Sequence, residues 1–285
     1  MKLYIYARSA HNFGLENIRR ASAVYNMLKG SEPIFCSADY RAATFAKTYL
    51  GVDKGVGVDV IGNMPNVMER GDILIYDDSG EASDTMQSHM KEYCTHLYKI
   101  GTDIPYDVVD DIFFQECQKK EQKVIFFADD DYKEWFFNEL KSIEKIDMPL
   151  IWGHYFFFKN EDETAKHFQE LLEEDQYIDT VRSSKYILTA SVHTALESLA
   201  SSNHPVLFKR GDKETSNLDL AQKYNIPIIQ KDNLKEILVE FETIINSYPK
   251  TEKIEKFDIT KIKTEVEDTL KKFEMIMPSL EYKDY

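Results

Sequence analysis

Residues Ser183–Ile228 read "SSKYILTASVHTALESLASSNHPVLFKRGDKETSNLDLAQKYNIPI". An apolar run ends in a turn of small residues at Ala190 and Ser191. The apolar-periodic segment "VHTALESLA" follows, and Asn203 and Pro205 then lead into "HPVLFKR". A polar loop, the helical pattern "NLDLAQKY" and the short apolar "IPI" complete the stretch. Strand, helix, strand, helix and strand in this order specify a parallel sheet with crossover helices.

The same alternation extends upstream. In the first half, "KLYIYA" precedes a helix from about Leu15 to Lys29, and "PIFCSA" precedes the helix "DYRAATFAKTYL". "VGVDVI" is a third strand and "NVMER" a short helix. "DILIYDD" is a strong fourth strand, followed by the helix "MQSHMKEYC" and the strand "THLYKIG". The polar ends of these strands bring Arg8, Asp39, Asp77 and Asp103 to the carboxyl edge, where open α/β sheets bind ligands.

The charged "DDIFFQECQKKEQK" marks a junction near Lys119. The pattern restarts with the strand "KVIFFADDD", the helix "YKEWFFNELKSI" and the strand "MPLIWGHYFFF". The helix "DETAKHFQELLEE" and a short "YIDTV" then lead to the opening stretch. The expected fold is α/β: two Rossmann-like domains facing a cleft, with a C-terminal helix. The domains are residues 1–118, residues 119–250 and a helical extension over residues 251–285. In the extension, "FDITKIKTEVEDTLKKFEMIM" aligns Ile259, Ile262, Val266, Leu270, Phe273 and Ile276 on one helical stripe. Such a stripe serves either to pack back across the junction or to dock a protein partner.

Composition narrows the classes of function. With 43 % hydrophobic residues in 285, the chain can bury a substantial core. Lys+Arg 35 against Asp+Glu 50 gives a net charge of −15. That balance disfavours nucleic acid and anionic membranes as partners. Cys36, Cys94 and Cys117 form no CxxC pair, so no zinc framework is expected, and Cys36 is a candidate buried strand residue. No apolar stretch approaches the roughly 20 residues of a membrane span. We therefore expect a soluble cytoplasmic protein with no metal and no cofactor.

The first candidate site is "YARSAHNFGLENIRRA", Tyr6–Ala21. A strand, a turn with Gly14 and a helix start carrying Arg19 and Arg20 form the arrangement that binds phosphate in many α/β proteins. The alternative for both arginines is a solvated helix face. His11 has the side chain of a general base, or is a plain loop histidine. Asp77 and Asp78 either polarise a water or hold sugar hydroxyls, or only cap a turn. Asp129, Asp130 and Asp131 either bind Mg²⁺ or form a solvated acidic loop that also caps the next helix. "YFFF" and "EWFF" read as strand and helix core.

The order of elements in Ser183–Ile228 resembles the C-terminal half of GT-B glycosyltransferases and their relatives. That resemblance implies a diphosphate at the Ser191 and Thr194 turn and a ribose held by Glu197, with His193 in a place where a smaller residue would fit a phosphate more easily; the alternative is a helix glutamate in a solvated position behind a Ser191 N-cap. Within the superfamily the chain is most similar to the UDP-sugar hydrolase of pseudaminic acid biosynthesis. "FGLENIRRASAVYNML" stands at that family's glycine turn, and "NVMERGDILIYDDSG" at its mid-domain helix and strand. The family keeps a catalytic His in the turn, whereas "GLEN" stands here and His11 lies three residues before Gly14. A longer inter-domain segment is missing between "DDIFF" and "KVIFF". The second domain's glycine-rich loop is replaced by "FFADDDYKEW", whose charges would each repel a diphosphate by about 1 kcal/mol even in water at 4 Å.

Two functions follow. One is a nucleotide-sugar hydrolase or glycosyltransferase for cell-surface or flagellin glycans, using His11 and Asp77 in catalysis. It would hold a UDP- or CMP-type sugar nucleotide with Asn12, Gly14, Arg19, Ser191, Thr194 and Glu197. The other is a catalytically inactive binding or scaffold protein with the same fold, in a surface or motility assembly.

Overall fold

The computed structural model describes the backbone of residues 1–11 and 14–280 and the side chains to residue 275. Asn12 lies outside the described residues. The chain forms two compact units. The first comprises Met1–Ala10, Asn17–Val108 and Phe257–Tyr285; the second comprises His11–Glu16 and Val109–Lys256.

The first unit follows the sequence alternation. Its elements begin with β1 (Leu3–Ala7), α1 (Glu16–Met27), β2 (Ile34–Ser37), α2 (Tyr40–Tyr49) and β3 (Gly55–Gly57). They continue with β4 (Ile73–Asp77), α3 (Asp84–Tyr93) and β5 (His96–Lys99). The strands pair in parallel in the order β3-β2-β1-β4-β5. β1 and β4 are buried at every position, as central parallel strands covered on both faces must be. Tyr4, Tyr6, Leu74 and Tyr76 pack with Met64, Met68 and Met90 on one side of the sheet. Cys36 is buried in β2, as its apolar setting predicted. Of "NVMER" only Asn66 is helical, as the last residue of a 3-10 segment over Ile61–Asn66 with Pro65 inside.

The second unit begins with β6 (Lys120–Phe126), α4 (Trp135–Leu140), β7 (Leu150–Ile151), α5 (Glu161–Ala165) and β8 (Leu171–Leu172). Next come α6 (Tyr177–Ser183), β9 (Ser184–Thr189), α7 (Val192–Ala200), β10 (His204–Phe208), α8 (Leu218–Lys223), β11 (Ile228–Ile229) and α9 (Leu234–Asn246). The parallel sheet runs β11-β10-β9-β6-β7-β8. Side chains alternate across it as a strand's period of two requires. Ile125 and Phe127 join one core with α4 and α9, while Val124 and Phe126 join the other with α6 and α7.

Several segments differ from their sequence patterns. "MPLIWGHYFFF" is a strand only at Leu150–Ile151. A Cβ on Gly153 would collide with the Ala128 carbonyl and the Phe156 ring, so the chain turns there, and Phe157 and Phe158 stand exposed rather than in the core. "DETAKHFQELLEE" splits into α5 and the two-residue β8, because Leu171 and Leu172 pair with Leu150 and Ile151. "YIDTV" lies in α6. α9 follows "KDN", with Leu234, Ile237, Phe241 and Ile245 buried at helical spacing.

The last helix, α10 (Thr260–Leu280), belongs to the first unit. Ile262 and Val266 of its apolar stripe are buried. Tyr98 Oη donates to Glu265 at 2.7 Å, and the His96 ring bonds Thr269 Oγ1 at 2.9 Å, so the helix lies against β5. Ile259 precedes the helix, and the Ile276 side chain is outside the described residues. No described helix is long and apolar enough to cross a membrane.

Candidate functional site

In each sheet the strand order reverses at one place, between β1 and β4 in the first unit and between β6 and β9 in the second. Open α/β sheets bind ligands beyond the carboxyl ends of the strands at such a switch point. The two places are built differently.

In the second unit, a cavity of about 50 Å³ lies at this position. It is lined by the β6 loop (Ala128 to Asp130), the β9 loop (Ala190, Ser191), Arg210, Lys213 and Gly14 with Glu16. Ser191 caps α7: its Oγ accepts from the Thr194 amide at 3.2 Å. The first turn of a helix offers amides that have no partner within the helix and the positive end of its dipole; in α7 the Thr194 amide is taken by Ser191 Oγ. Gly14 has φ +77°, a backbone conformation that favours glycine, and its Cα faces the Asp129 side chain. The turn presents the Leu15 amide to Asp129 Oδ2 at 3.2 Å.

The three consecutive aspartates serve three separate partners. Asp129 accepts from the Leu15 amide. Asp130 accepts from Lys213 Nζ at 2.5 Å and from Arg210 at 3.2 Å. Asp131 accepts the Phe136 and Phe137 amides, both at 3.0 Å, at the start of α4. Burial raises the Asp131 carboxyl above its ordinary pKa despite those two amides. All three aspartates are buried, so the loop is not solvated, but Asp131 does cap the next helix as expected. Among the described residues no group of three metal-ligating side chains stands together.

Arg210 is held on both sides. Its guanidinium forms a two-point pair with Asp212 at 2.8 and 2.6 Å and lies 4.4 Å from the Phe127 ring centre. Burial pulls its pKa down, but the bonds to Asp212 and the nearby Asp130 charge outweigh that and raise it. Burial likewise pushes Asp212 up, and the bond from Arg210 brings it below the ordinary carboxylate range. Neither Arg210 nor Lys213 stood out in the sequence. The only signal was a pair of cations in the polar loop after "HPVLF".

Glu197 and Thr194 join Ser191 in a buried chain of hydrogen bonds. Tyr177 Oη donates to Glu197, while the Tyr177 and Thr194 hydroxyls lie 2.7 Å apart. Thr194 Oγ1 donates to Ser191 Oγ at 3.1 Å, and Ser191 donates to Glu16 at 2.7 Å. The other Glu197 oxygen lies 3.4 Å from His193 Nε2. Glu197 is 3 % exposed, so its carboxylate supports the turn from below. Tyr177 and Glu16 had no local signal; each lies at least 17 positions from the residue it meets.

The remaining sequence candidates fall elsewhere. His11 is exposed in the second unit, its ring 4.7 Å from that of Tyr155. Asp77 is fully buried at the end of β4, paired with Arg20 at 2.9 Å. Arg19 is also buried, its guanidinium 5.1 Å from the Phe45 ring centre, so neither arginine stands on a solvated helix face. Asp78 is buried as well; it accepts the Ala82 and Gly80 amides and pairs with Lys99 at 3.4 Å, as a turn-capping residue does.

The two parallel sheets with their covering helices give the chain a GT-B-type α/β fold. No protein-family profile matches the sequence, and no curated protein matches it. Among solved structures, the chain is similar to the UDP-GlcNAc 2-epimerase of Methanocaldococcus jannaschii in complex with UDP-GlcNAc and UDP. The TM-score is 0.54 at 12 % identity, covering 87 % of this chain and 94 % of that one. The E. coli heptosyltransferase WaaC with ADP overlays with a TM-score of 0.46 at 10 % identity, over 86 % of this chain and 98 % of that one. The likeness to the epimerase is one of fold.

Proposed function

We propose that the chain is a nucleotide-sugar-binding protein that anchors phosphate in the second unit's cavity. The observation that carries this reading is the Ser191-capped start of α7 at a topological switch point, with Arg210 and Lys213 lining the same small cavity. The epimerase of like fold was crystallised with UDP-GlcNAc and UDP, which agrees with this ligand class. Gly14 supplies the close approach of a turn, and the buried chain from Glu197 through Tyr177 and Thr194 fixes the Ser191 hydroxyl. Glu197 is thus a positioning residue in this reading. The exposed His11 is the proton-transfer candidate of a hydrolase or transferase. A role in cell-surface or flagellin glycan synthesis in the cytoplasm rests on the sequence resemblance alone.

Calorimetric titration with UDP, CMP and UDP-GlcNAc tests the reading. A site with a Kd of about 10 μM raises stability by roughly 2.7 kcal/mol at a hundredfold ligand excess. No heat and no stabilisation at millimolar ligand overturns it.

One observation favours the second reading, a catalytically inactive binding or scaffold protein. The two carboxylates that the sequence offered for chemistry, Asp77 and Glu197, are both buried and engaged by protein partners. In that case UDP-GlcNAc binds without turnover, and one face of α10 remains for a protein partner.

A further inference from the structure

The loops that leave β7 and β8 hold a pair of titratable groups that the sequence did not single out. The two strands run parallel with Ile151 opposite Leu172, and the Trp152 amide bonds the Leu172 carbonyl at 2.8 Å. That register brings together His154 and Glu174, each just past the end of its strand, at the carboxyl edge of the second sheet. His154 Nδ1 lies 2.8 Å from Glu174 Oε1. An ionised carboxylate only accepts, so in the neutral ring Nδ1 carries the proton and Nε2 is the basic nitrogen. The same carboxylate stabilises the imidazolium that forms when Nε2 takes a proton. His154 is buried, so its ring orientation is fixed by the fold as well as by Glu174.

Tyr155 ties this pair to the cavity at α7. Its amide donates to the Asp129 carbonyl at 2.7 Å, and Asp129 is part of the cavity lining. The His154 ring centre lies 4.8 Å from that of Tyr155, and the His11 ring centre lies 4.7 Å from the same phenol ring. One histidine is buried and bound to a carboxylate, and the other is exposed. Titratable groups of one kind in unlike surroundings are suited to opposite tasks, one as acid and one as base.

We propose that His154 is the proton acceptor of this site, with Glu174 as its positioning residue and His11 as the proton donor. A water, or the hydroxyl of an acceptor, gives its proton to His154 Nε2 as its oxygen bonds to the anomeric carbon of the sugar. The bond from that carbon to the diphosphate breaks, the diphosphate keeps the electron pair, and His11 protonates it. Exchange with solvent then restores both rings. The assignment rests on the nucleotide-sugar reading in its hydrolase or transferase form.

UDP binding, UDP-GlcNAc hydrolysis and ring-nitrogen NMR on the native chain, His154→Gln and Glu174→Gln decide it. His154→Gln keeps UDP affinity and lowers turnover by about a hundredfold or more. It also identifies the His154 signals, which in the native chain show Nδ1 protonated and Nε2 bare. In Glu174→Gln the side-chain amide can donate to Nδ1, so the proton moves to Nε2 and turnover falls with UDP affinity kept. A merely structural carboxylate would leave the two nitrogen signals in place. This second variant carries the test if His154→Gln does not fold. Turnover unchanged in either folded variant, or a native Nε2 that carries the proton, overturns the assignment. UDP binding without turnover by the native chain also overturns it and leaves the nucleotide reading standing. No binding of UDP or UDP-GlcNAc removes both.

Discussion

The two sheets reverse their strand order in the same way, yet their carboxyl edges are filled differently. At the first unit's switch point the protein fills the space with its own ions. Arg20 bonds Asp77 at 2.9 Å and Asn17 at 2.6 Å, and its guanidinium lies 5.1 Å from the Tyr106 ring centre. Asn17 in turn bonds the Arg8 carbonyl and Ser79. At the second unit's switch point a cavity remains, a helix start faces it, and the half-buried Lys213 lines it. Topology thus selects where a ligand could bind, and the side chains decide whether room is left. At its switch point the first unit is closed by a buried ion pair, and the second keeps the small cavity that the proposed binding would use.

Substitutions at the two edges separate these roles, and the largest effect belongs to the first. Asp77→Ala leaves the buried Arg20 charge without its carboxylate, at a cost of about 3–5 kcal/mol. Urea denaturation measures this loss, and UDP or CMP affinity of the folded fraction stays unchanged. A loss of affinity with stability intact would reverse the comparison. Glu197→Ala removes the acceptor of Tyr177, at a cost of about 2 kcal/mol for a buried bond to a charged group. It also loosens Ser191, so nucleotide affinity falls together with stability.

Ser191→Ala loses the helix cap and costs about 1 kcal/mol. Here affinity suffers more than stability, because the residue lines the cavity. His11→Ala leaves both nearly unchanged, since the side chain is exposed, and abolishes turnover if the chain is a hydrolase or transferase. Equal turnover of UDP-GlcNAc by native chain and variant would remove His11 from the chemistry.

The smallest effect at neutral pH becomes large in alkali. In the first unit burial pushes the Cys36 and Cys94 thiols and the Tyr4 and Tyr76 hydroxyls to about 12. These groups are neutral when protonated, and their unfolded values are 9.0 for Cys and 10.0 for Tyr. Their contribution to stability is complete below those values and is lost as pH rises towards 12. Melting followed from pH 8 to about 11 then shows the first unit unfolding before the second. Cys36 and Cys94 also react with iodoacetamide more slowly than the half-buried Cys117.

Much of the fold was legible because the longer elements carry strong local patterns. "DILIYDD" and "VHTALESLA" sit where their apolar spacing places them. β7 and β8 have two residues each, too short to show a period, and exist because they pair with each other. Part of the candidate site was legible as well. Ser191 announces itself as a small polar residue before an apolar helix, but Arg210 and Lys213 meet Asp130 across 80 and 83 positions. "ADDD" looks like one acidic cluster in sequence. The loop turns each aspartate to a different partner, which no composition rule reveals.

The return of α10 to β5 bears on the order in which the protein matures. Tyr98 and Glu265 are 167 positions apart, so a ribosome has made the whole second unit before the first can be closed. β1 to β5 therefore wait with one flank uncovered while β6 to α9 emerge. Domains generally fold as units during synthesis. In this chain the N-terminal unit begins first and finishes last.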